Sequence, residues 1–397
     1  MPDTIKRTTG TKVAFGDVVQ LSKERSKDPE ADGFERYIGL EHLEPSDLKV
    51  RSWGDIADGV TFTNVFRPGQ VLFGKRRAYQ RKVAVADFSG VCSGDIYVLE
   101  PKGGQLLPQL LPFICQSETF YDYVISMSQG GLSPRVNWKA LAKYEFALPP
   151  LEEQRRIGEV LQAQEQLLRS IKSSLVELEN TRRSYIDETI NNFAEGASPM
   201  KRILDVSHNH RGGASLKPDD FTTAGTTILH KGDIGSSGVI TLRPQTNRHC
   251  KAEASQKYVD KIIDKAFVAV TTRDLVPSGP TIGMICRIDI DIPLLPAQGV
   301  YAFELSEEIK DSYLAALSTS SWYRKRVLGL AVGSTQIHVR TSELLNLQIP
   351  IPSRERQDEC VKVLAAFDGS KALLEQRFSC VRSQQVAVIE ACLGGTR

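Results

Sequence analysis

Between residues 151 and 193, apolar side chains recur in two interleaved seven-residue series. One is Leu161, Leu168 and Leu175; the other, three positions on, is Ile171, Leu178 and Tyr185. Such spacing is the two-position seam of a helix built to face another helix. Pro149-Pro150 precede the segment, Glu152 and Glu153 sit where the helix dipole favours carboxylates, and Gly196 and Pro199 close it. A helix over 151–193 would span roughly 64 Å.

The same pattern returns 203 residues later, with Gln154 on Gln357, and runs ungapped for about sixty residues. Identical pairs include Gly130/Gly333, Val136/Val339, Leu141/Leu344, Pro149/Pro352, Glu152/Glu355, Leu161/Leu364 and Ile186/Ile389. The second copy places Leu364, Phe378 and Cys392 on one series and Phe367, Leu374, Val381 and Val388 on the other. Ser353 and Glu355 open this helix and Gly394-Gly395 end it. Polar residues interrupt the seams at Gln164 and Arg182, and at Lys371 and Gln385. These places are not equivalent, so two helices facing each other could use them to fix register. The expected inter-helix residues are Leu161, Leu168, Ile171, Leu175, Leu178, Leu364, Leu374, Phe378 and Val381.

Elsewhere the pattern changes to short apolar runs bounded by Gly, Pro and Asp, which read as strands. Examples are Gln70–Phe73, Lys82–Ala86 and Asp95–Leu99, then Ala266–Val270, Thr281–Cys286 and Val300–Phe303. The predicted plan is a variable domain (1–150), a long helix (151–196), a second variable domain (197–352) and a second helix (353–397).

Composition narrows the class. The chain has 397 residues, 41% hydrophobic and 25% charged, as a folded protein of two to three domains would. Net charge is only +2, which excludes a polycation but not a local basic patch. Residues 151–196 hold 6 Lys/Arg against 9 Asp/Glu, while 197–352 hold 18 against 15. The seven cysteines include no CxxC pair, so neither a zinc knuckle nor a redox motif is spelled. The segment MPDTIKRTTG lacks the apolar core of a signal peptide. No apolar run approaches the roughly 20 residues that cross a bilayer. The expectation is a cytoplasmic protein with reduced thiols and no membrane partner.

Catalytic motifs fail on inspection. Gly69–Lys75 spells G-x-x-x-x-G-K, but its middle is a strand-like Val-Leu-Phe and Arg76 stands where a magnesium-binding Ser or Thr is needed. His208-Asn209-His210 spells the name of a nuclease class, but the residues of those nucleases are dispersed and these are contiguous. Asp291 with Glu308-Ile309-Lys310 only loosely imitates a metal-nuclease spacing. Ala147-Leu148 precede Pro149-Pro150, where an adenine methyltransferase would place an acid or amide. No metal site is expected.

Binding chemistry fares better. Gly74–Lys82, GKRRAYQRK, holds five positive charges and a tyrosine in nine residues. Lys and Arg neutralise phosphates, Arg also reads guanine, and Tyr79 could stack. The candidates there are Lys75, Arg76, Arg77, Tyr79 and Arg81, joined by Ser133 and Arg135 of the loop GGLSPRVNWK. Its repeat partner GSTQIHVR supplies Ser334, Thr335, Gln336 and His338; Lys231 and Arg273 complete the set. A solvated basic turn remains an alternative for the cluster.

These residues carry a resemblance. FALPPLEEQRRIGEVL (146–161) and IPIPSRERQDECVKVL (349–364) each end a variable domain and open a long helix. With YIGLEHL (37–43), residues 69–99, SPRVNWKALAKYEF (133–146) and VGSTQIHV (332–339), they resemble the specificity subunit of type I restriction–modification systems. The resemblance implies a mixed α/β fold of two globular target-recognition domains separated by two long antiparallel helices. It implies that each domain reads one half of a split double-stranded DNA site. The helices would set the spacer and dock two methyltransferase subunits, with motor-endonuclease subunits joining for cleavage. This chain would be no enzyme and bind no cofactor, with S-adenosylmethionine, ATP and magnesium on its partners. Two other readings stay open: a coiled-coil scaffold whose variable domains bind protein, and a stand-alone nuclease or methyltransferase.

Overall fold

The computed structural model describes residues 10–244 and 248–393. Gly394-Gly395, the expected end of the second helix, lie outside the described residues. The chain divides into two compact units, Met1–Ser173 with Glu375–Arg397, and Ser174–Leu374. Each takes part of both long helices, which run Leu151–Glu195 and Arg354–Leu393. Among the described residues no helix is long and apolar enough to cross a membrane.

The first unit is built on a four-stranded antiparallel sheet in the order Val19–Leu21, Ile96–Pro101, Val71–Gly74, Val83–Val85. Every residue of Val71–Gly74 is buried, which is why its sequence is a continuous apolar run rather than an alternation. A second sheet, Gly54–Asp55, Arg36–Ile38, Gly90–Cys92, Asn64–Phe66, contains one parallel pair. Phe15, Phe73, Phe120 and Tyr144 centre the core, and Ile157 and Leu161 of the first helix and Ile389 and Leu393 of the second complete it.

The second unit repeats the principal sheet: Ser207–Gly212, Val300–Leu305, Phe267–Thr271, Ile285–Arg287, again antiparallel with a fully buried central strand. The strand expected over Thr281–Cys286 is confined to Ile285–Arg287. Its leading residues instead turn: Gly283 has φ +71°, and the Thr281 hydroxyl donates to Asp274 at 2.8 Å. The core gathers Val268, Val270, Phe303, Tyr313 and Tyr323 against Ile186, Ile190, Phe193, Cys360 and Leu364 of the helices.

Within each unit the helix segments pair antiparallel. In the first, Gln385 donates to Glu165 at 3.3 Å and Lys172 lies 5.8 Å from the Phe378 ring centre. In the second, Lys371 meets Glu179 at 3.5 Å, Arg182 meets Asp368 at 2.9 Å, and Tyr185 meets Phe367 at 6.2 Å. Rising numbers on one helix meet falling numbers on the other. Of the seam residues, Leu161, Leu168, Ile171, Leu364 and Val381 are buried; Leu175, Leu178, Leu374 and Phe378 are half-buried. The core clusters include Leu161 and Leu364 but none of the half-buried four. Three of the four polar interruptions have a partner: Arg182, Lys371 and Gln385. On the first helix Glu165 is buried, at 8% exposed, whereas its neighbour Gln164 is half-buried.

Candidate nucleic-acid interface

In the first unit, the buried strand Val71–Gly74 delivers the basic segment to the surface. The chain then makes one 3-10 turn, Ala78–Gln80, bracketed by Arg77 and Arg81, both left-handed at φ +51° and +53°. Residues other than glycine seldom adopt this conformation. It throws successive side chains in different directions, so the five positive charges do not form one patch.

Lys75 places its Nζ 4.6 Å from the Tyr97 ring centre. Arg76 donates from Nη1 to Asp95 Oδ2 at 3.3 Å and from Nη2 to Ser133 Oγ at 3.1 Å. Asp95 also receives Arg135, Nε on Oδ1 at 2.8 Å and Nη2 on Oδ2 at 3.2 Å. One carboxylate therefore aligns two guanidinium groups, and the Arg135 hydrogen bond foremost holds its pKa below the usual carboxylate range. The Arg77 amide donates to the Pro134 carbonyl at 2.7 Å, tying the turn to the neighbouring loop. Tyr79 is 54% exposed on that turn.

Arg81 and Lys82 leave the group. Arg81 forks onto the Glu118 carboxylate and lies 5.2 Å from the Tyr121 ring centre. The Arg81 hydrogen bond lowers the Glu118 pKa. Lys82 donates to the Leu40 carbonyl at 2.7 Å. Arg81 thus has a structural partner that the sequence cluster did not reveal.

The loop bearing Ser133 and Arg135 is set by its flanks. Ser117 caps the helix Glu118–Ser126, accepting from the Phe120 amide at 3.2 Å, and Asn137 caps Trp138–Leu141. Between these helices Gln129 and Arg135 exchange backbone hydrogen bonds, both 2.9 Å, and close a five-residue loop. The second unit does the same 203 residues on. Ser320 caps Ser321–Leu330, accepting from the Tyr323 amide at 3.2 Å; Val332 and His338 exchange bonds of 2.9 Å. The loops start on Gly130 and Gly333, with φ +110° and +118°. At Gly333 a Cβ would meet the Gln336 carbonyl oxygen at 2.1 Å, so only glycine fits.

Each loop rests on the chain leaving the central strand. Arg76 bridges Arg135 in the first unit and Arg273 bridges His338 in the second. Val136 donates to the Lys75 carbonyl at 3.1 Å, as Val339 does to that of Thr272 at 3.0 Å. Ser334, Thr335, Gln336, His338 and Arg273 are all exposed there. Beside Arg273, burial opposes ionisation of Asp274, but hydrogen bonds from the Thr281 amide and hydroxyl outweigh it and lower its pKa. Among the described residues no hydrogen bond or ion pair joins Lys231 to this group; it opens the turn Lys231–Asp233, where Asp233 is buried and forked by Arg248 at 2.7 and 2.9 Å. The sequence also gave no reason to single out Asp95, whose role depends on a strand end meeting two loops.

The duplication has one further signature. Gln154 accepts from the Leu107 amide at 2.9 Å and donates to the Gln105 and Pro149 carbonyls, each at 2.8 Å. Gln357 accepts from Lys310 at 2.9 Å and donates to Glu308 at 2.8 Å and Pro352 at 2.9 Å. All three partners recur at the same offset of 203.

Comparison with known proteins agrees with this duplicated plan. The type I restriction modification DNA specificity domain matches the chain twice, over residues 11–180 and 199–379. The chain is 22% identical over 386 residues to the type I restriction enzyme MjaVIII specificity subunit of Methanocaldococcus jannaschii, covering 90% of this chain and 85% of that protein. A chain solved in work on complex assembly and conformational transition of the type I R-M system aligns over 98% of this chain and 99% of its own, with TM-score 0.63 and 20% identity. The type I restriction–modification S subunit from M. genitalium aligns over 98% and 97%, with TM-score 0.56 and 13% identity. These two similarities concern the fold.

Proposed function

The chain belongs to the type I restriction–modification DNA specificity family, and from that premise we propose that its two units each read one half of a bipartite double-stranded DNA site. The observation that carries this is the pair of equivalent glycine-started loops. Each is closed by reciprocal backbone bonds and seated on a basic or polar strand end, Lys75–Arg77 or Thr272–Arg273. Arginine and lysine there suit phosphates and guanine edges; Ser133, Ser334, Thr335, Gln336 and His338 suit base edges. Asp95 pre-orients Arg76 and Arg135, which lowers the cost of ordering them on DNA.

The long helices set the distance between half-sites and dock two methyltransferase subunits. A helix of 45 residues is roughly 68 Å long, ample for half-sites about one DNA turn apart. The chain itself catalyses nothing and carries no cofactor; S-adenosylmethionine, ATP and magnesium belong to the methyltransferase and motor-endonuclease partners. The test is to map methylated adenines in cells carrying the whole system, then footprint the reconstituted complex on the mapped site. A split site protected in two halves supports the proposal; equal binding to scrambled DNA rejects it.

A further inference from the structure

Leu132, at the tip of the first loop, is 95% exposed. Isolated exposed leucines are common, but this one is held out. The reciprocal bonds between Gln129 and Arg135 close the loop beneath it, and Arg77 ties Pro134 to the basic turn. Arg76 and Arg135, aligned by Asp95, stand at the loop base. The second loop keeps this backbone and changes the tip: Leu132 is replaced at the repeat offset by Thr335, and Ser133 by Gln336. A preserved scaffold with altered tip chemistry is what two readers of different half-sites require.

From this juxtaposition we propose that Leu132 is a specificity-determining residue that packs on the C5-methyl of one thymine in the major groove. The inference rests on the DNA-reading function proposed above. Leucine offers no hydrogen bond, and the thymine methyl is the apolar group a base pair presents in that groove. The flanking arginines supply the phosphate contacts that bring an apolar tip to the base edges. Thr335 carries both a methyl and a hydroxyl, so the second loop reads a different edge.

The test uses the complex reconstituted with its methyltransferase subunits and duplexes of the mapped site in which each thymine in turn becomes deoxyuridine, which lacks the methyl. At one thymine the wild-type complex loses about fourfold in affinity, the worth of one buried methyl-sized group. Leu132→Ala shows that loss already with thymine and is indifferent to the replacement, whereas Leu132→Met keeps the sensitivity. The side chain is almost wholly exposed, so the alanine variant keeps its fold. A complex that prefers the mapped site over scrambled DNA, yet shows no thymine coupled to Leu132, overturns the inference alone. No preference over scrambled DNA removes the DNA-reading proposal, and this inference with it.

Discussion

Asp95 grips Arg135 as a fork, with 2.8 Å from Nε to Oδ1 and 3.2 Å from Nη2 to Oδ2, while the second oxygen also takes Arg76. In the proposed DNA-reading role, a carboxylate within this basic cluster costs electrostatic attraction. Its compensation is orientation: two flexible side chains are aimed before DNA arrives. Asp95→Asn is expected to raise affinity for scrambled DNA and to lower the ratio of specific to non-specific binding. Filter-binding titrations on both duplexes would show it; a preserved ratio argues against an orienting role.

The same pair has a pH signature. The Asp95 pKa is depressed in the folded state, below an ordinary value of about 3.9. The pair's contribution is therefore present above that value and is lost as pH falls through the depressed one. Urea unfolding of the wild type and Asp95→Asn should show a constant difference from pH 7 to about 4, closing below it. A gap that closes by pH 6 would contradict the assignment.

Arg76 and Arg77 are the next candidates for substitution. Arg77 has φ +51°, so glycine, which accepts that backbone, is the cleaner replacement there. Arg76→Ala with Arg77→Gly should weaken DNA binding and flatten the plot of log affinity against log salt by up to about 0.9 per lost phosphate contact. An unchanged slope excludes both from the backbone contacts. Arg81→Ala is expected to act differently: Glu118 loses its partner, so stability falls and the salt slope stays close to wild type.

Gln154→Leu and Gln357→Leu should each destabilise their own unit by about 1–3 kcal/mol, because buried backbone groups lose their partners. The residues lock equivalent helix starts through separate contacts, each within its own unit, so the double variant should be additive within about 0.5 kcal/mol. Hydrogen exchange would localise the effect; protection lost in both units from one substitution would refute independence.

The helix-as-ruler proposal gives a length prediction. Deleting Ser173–Val176, with a matching four-residue deletion at Leu373–Gln376, removes about one helical turn, roughly 6 Å. The buried seam residues Leu161, Leu168, Leu364 and Val381 are untouched. The mapped methylation site should then lose about two base pairs of spacer, at 3.4 Å per step. Sites of unaltered spacing refute the ruler.

Much of the architecture is local, and local patterns are written in the chain. The seven-residue series, the proline starts and the Gly196 stop of the first helix specify the helices because periodicity and capping depend on near neighbours. The offset of 203 likewise disclosed the two glycine-started loops. It did not disclose how far back the equivalence reaches. Ser117 and Ser320 cap matching helices through matching Phe120 and Tyr323 amides, but too few identities surround them to stand out.

What only the tertiary structure decided is which charges act together. GKRRAYQRK reads as one basic cluster, yet Arg81 and Lys82 are claimed by Glu118 and the Leu40 carbonyl. Arg76 and Arg135, 59 positions apart in the chain, share Asp95. Glu165, charged and therefore expected outside, is buried against Gln385. Sequence sets each residue's charge and local backbone. Partner choice is a matter of distance between segments remote in the chain, and side-chain electrostatics act over a few ångströms of space rather than along the sequence.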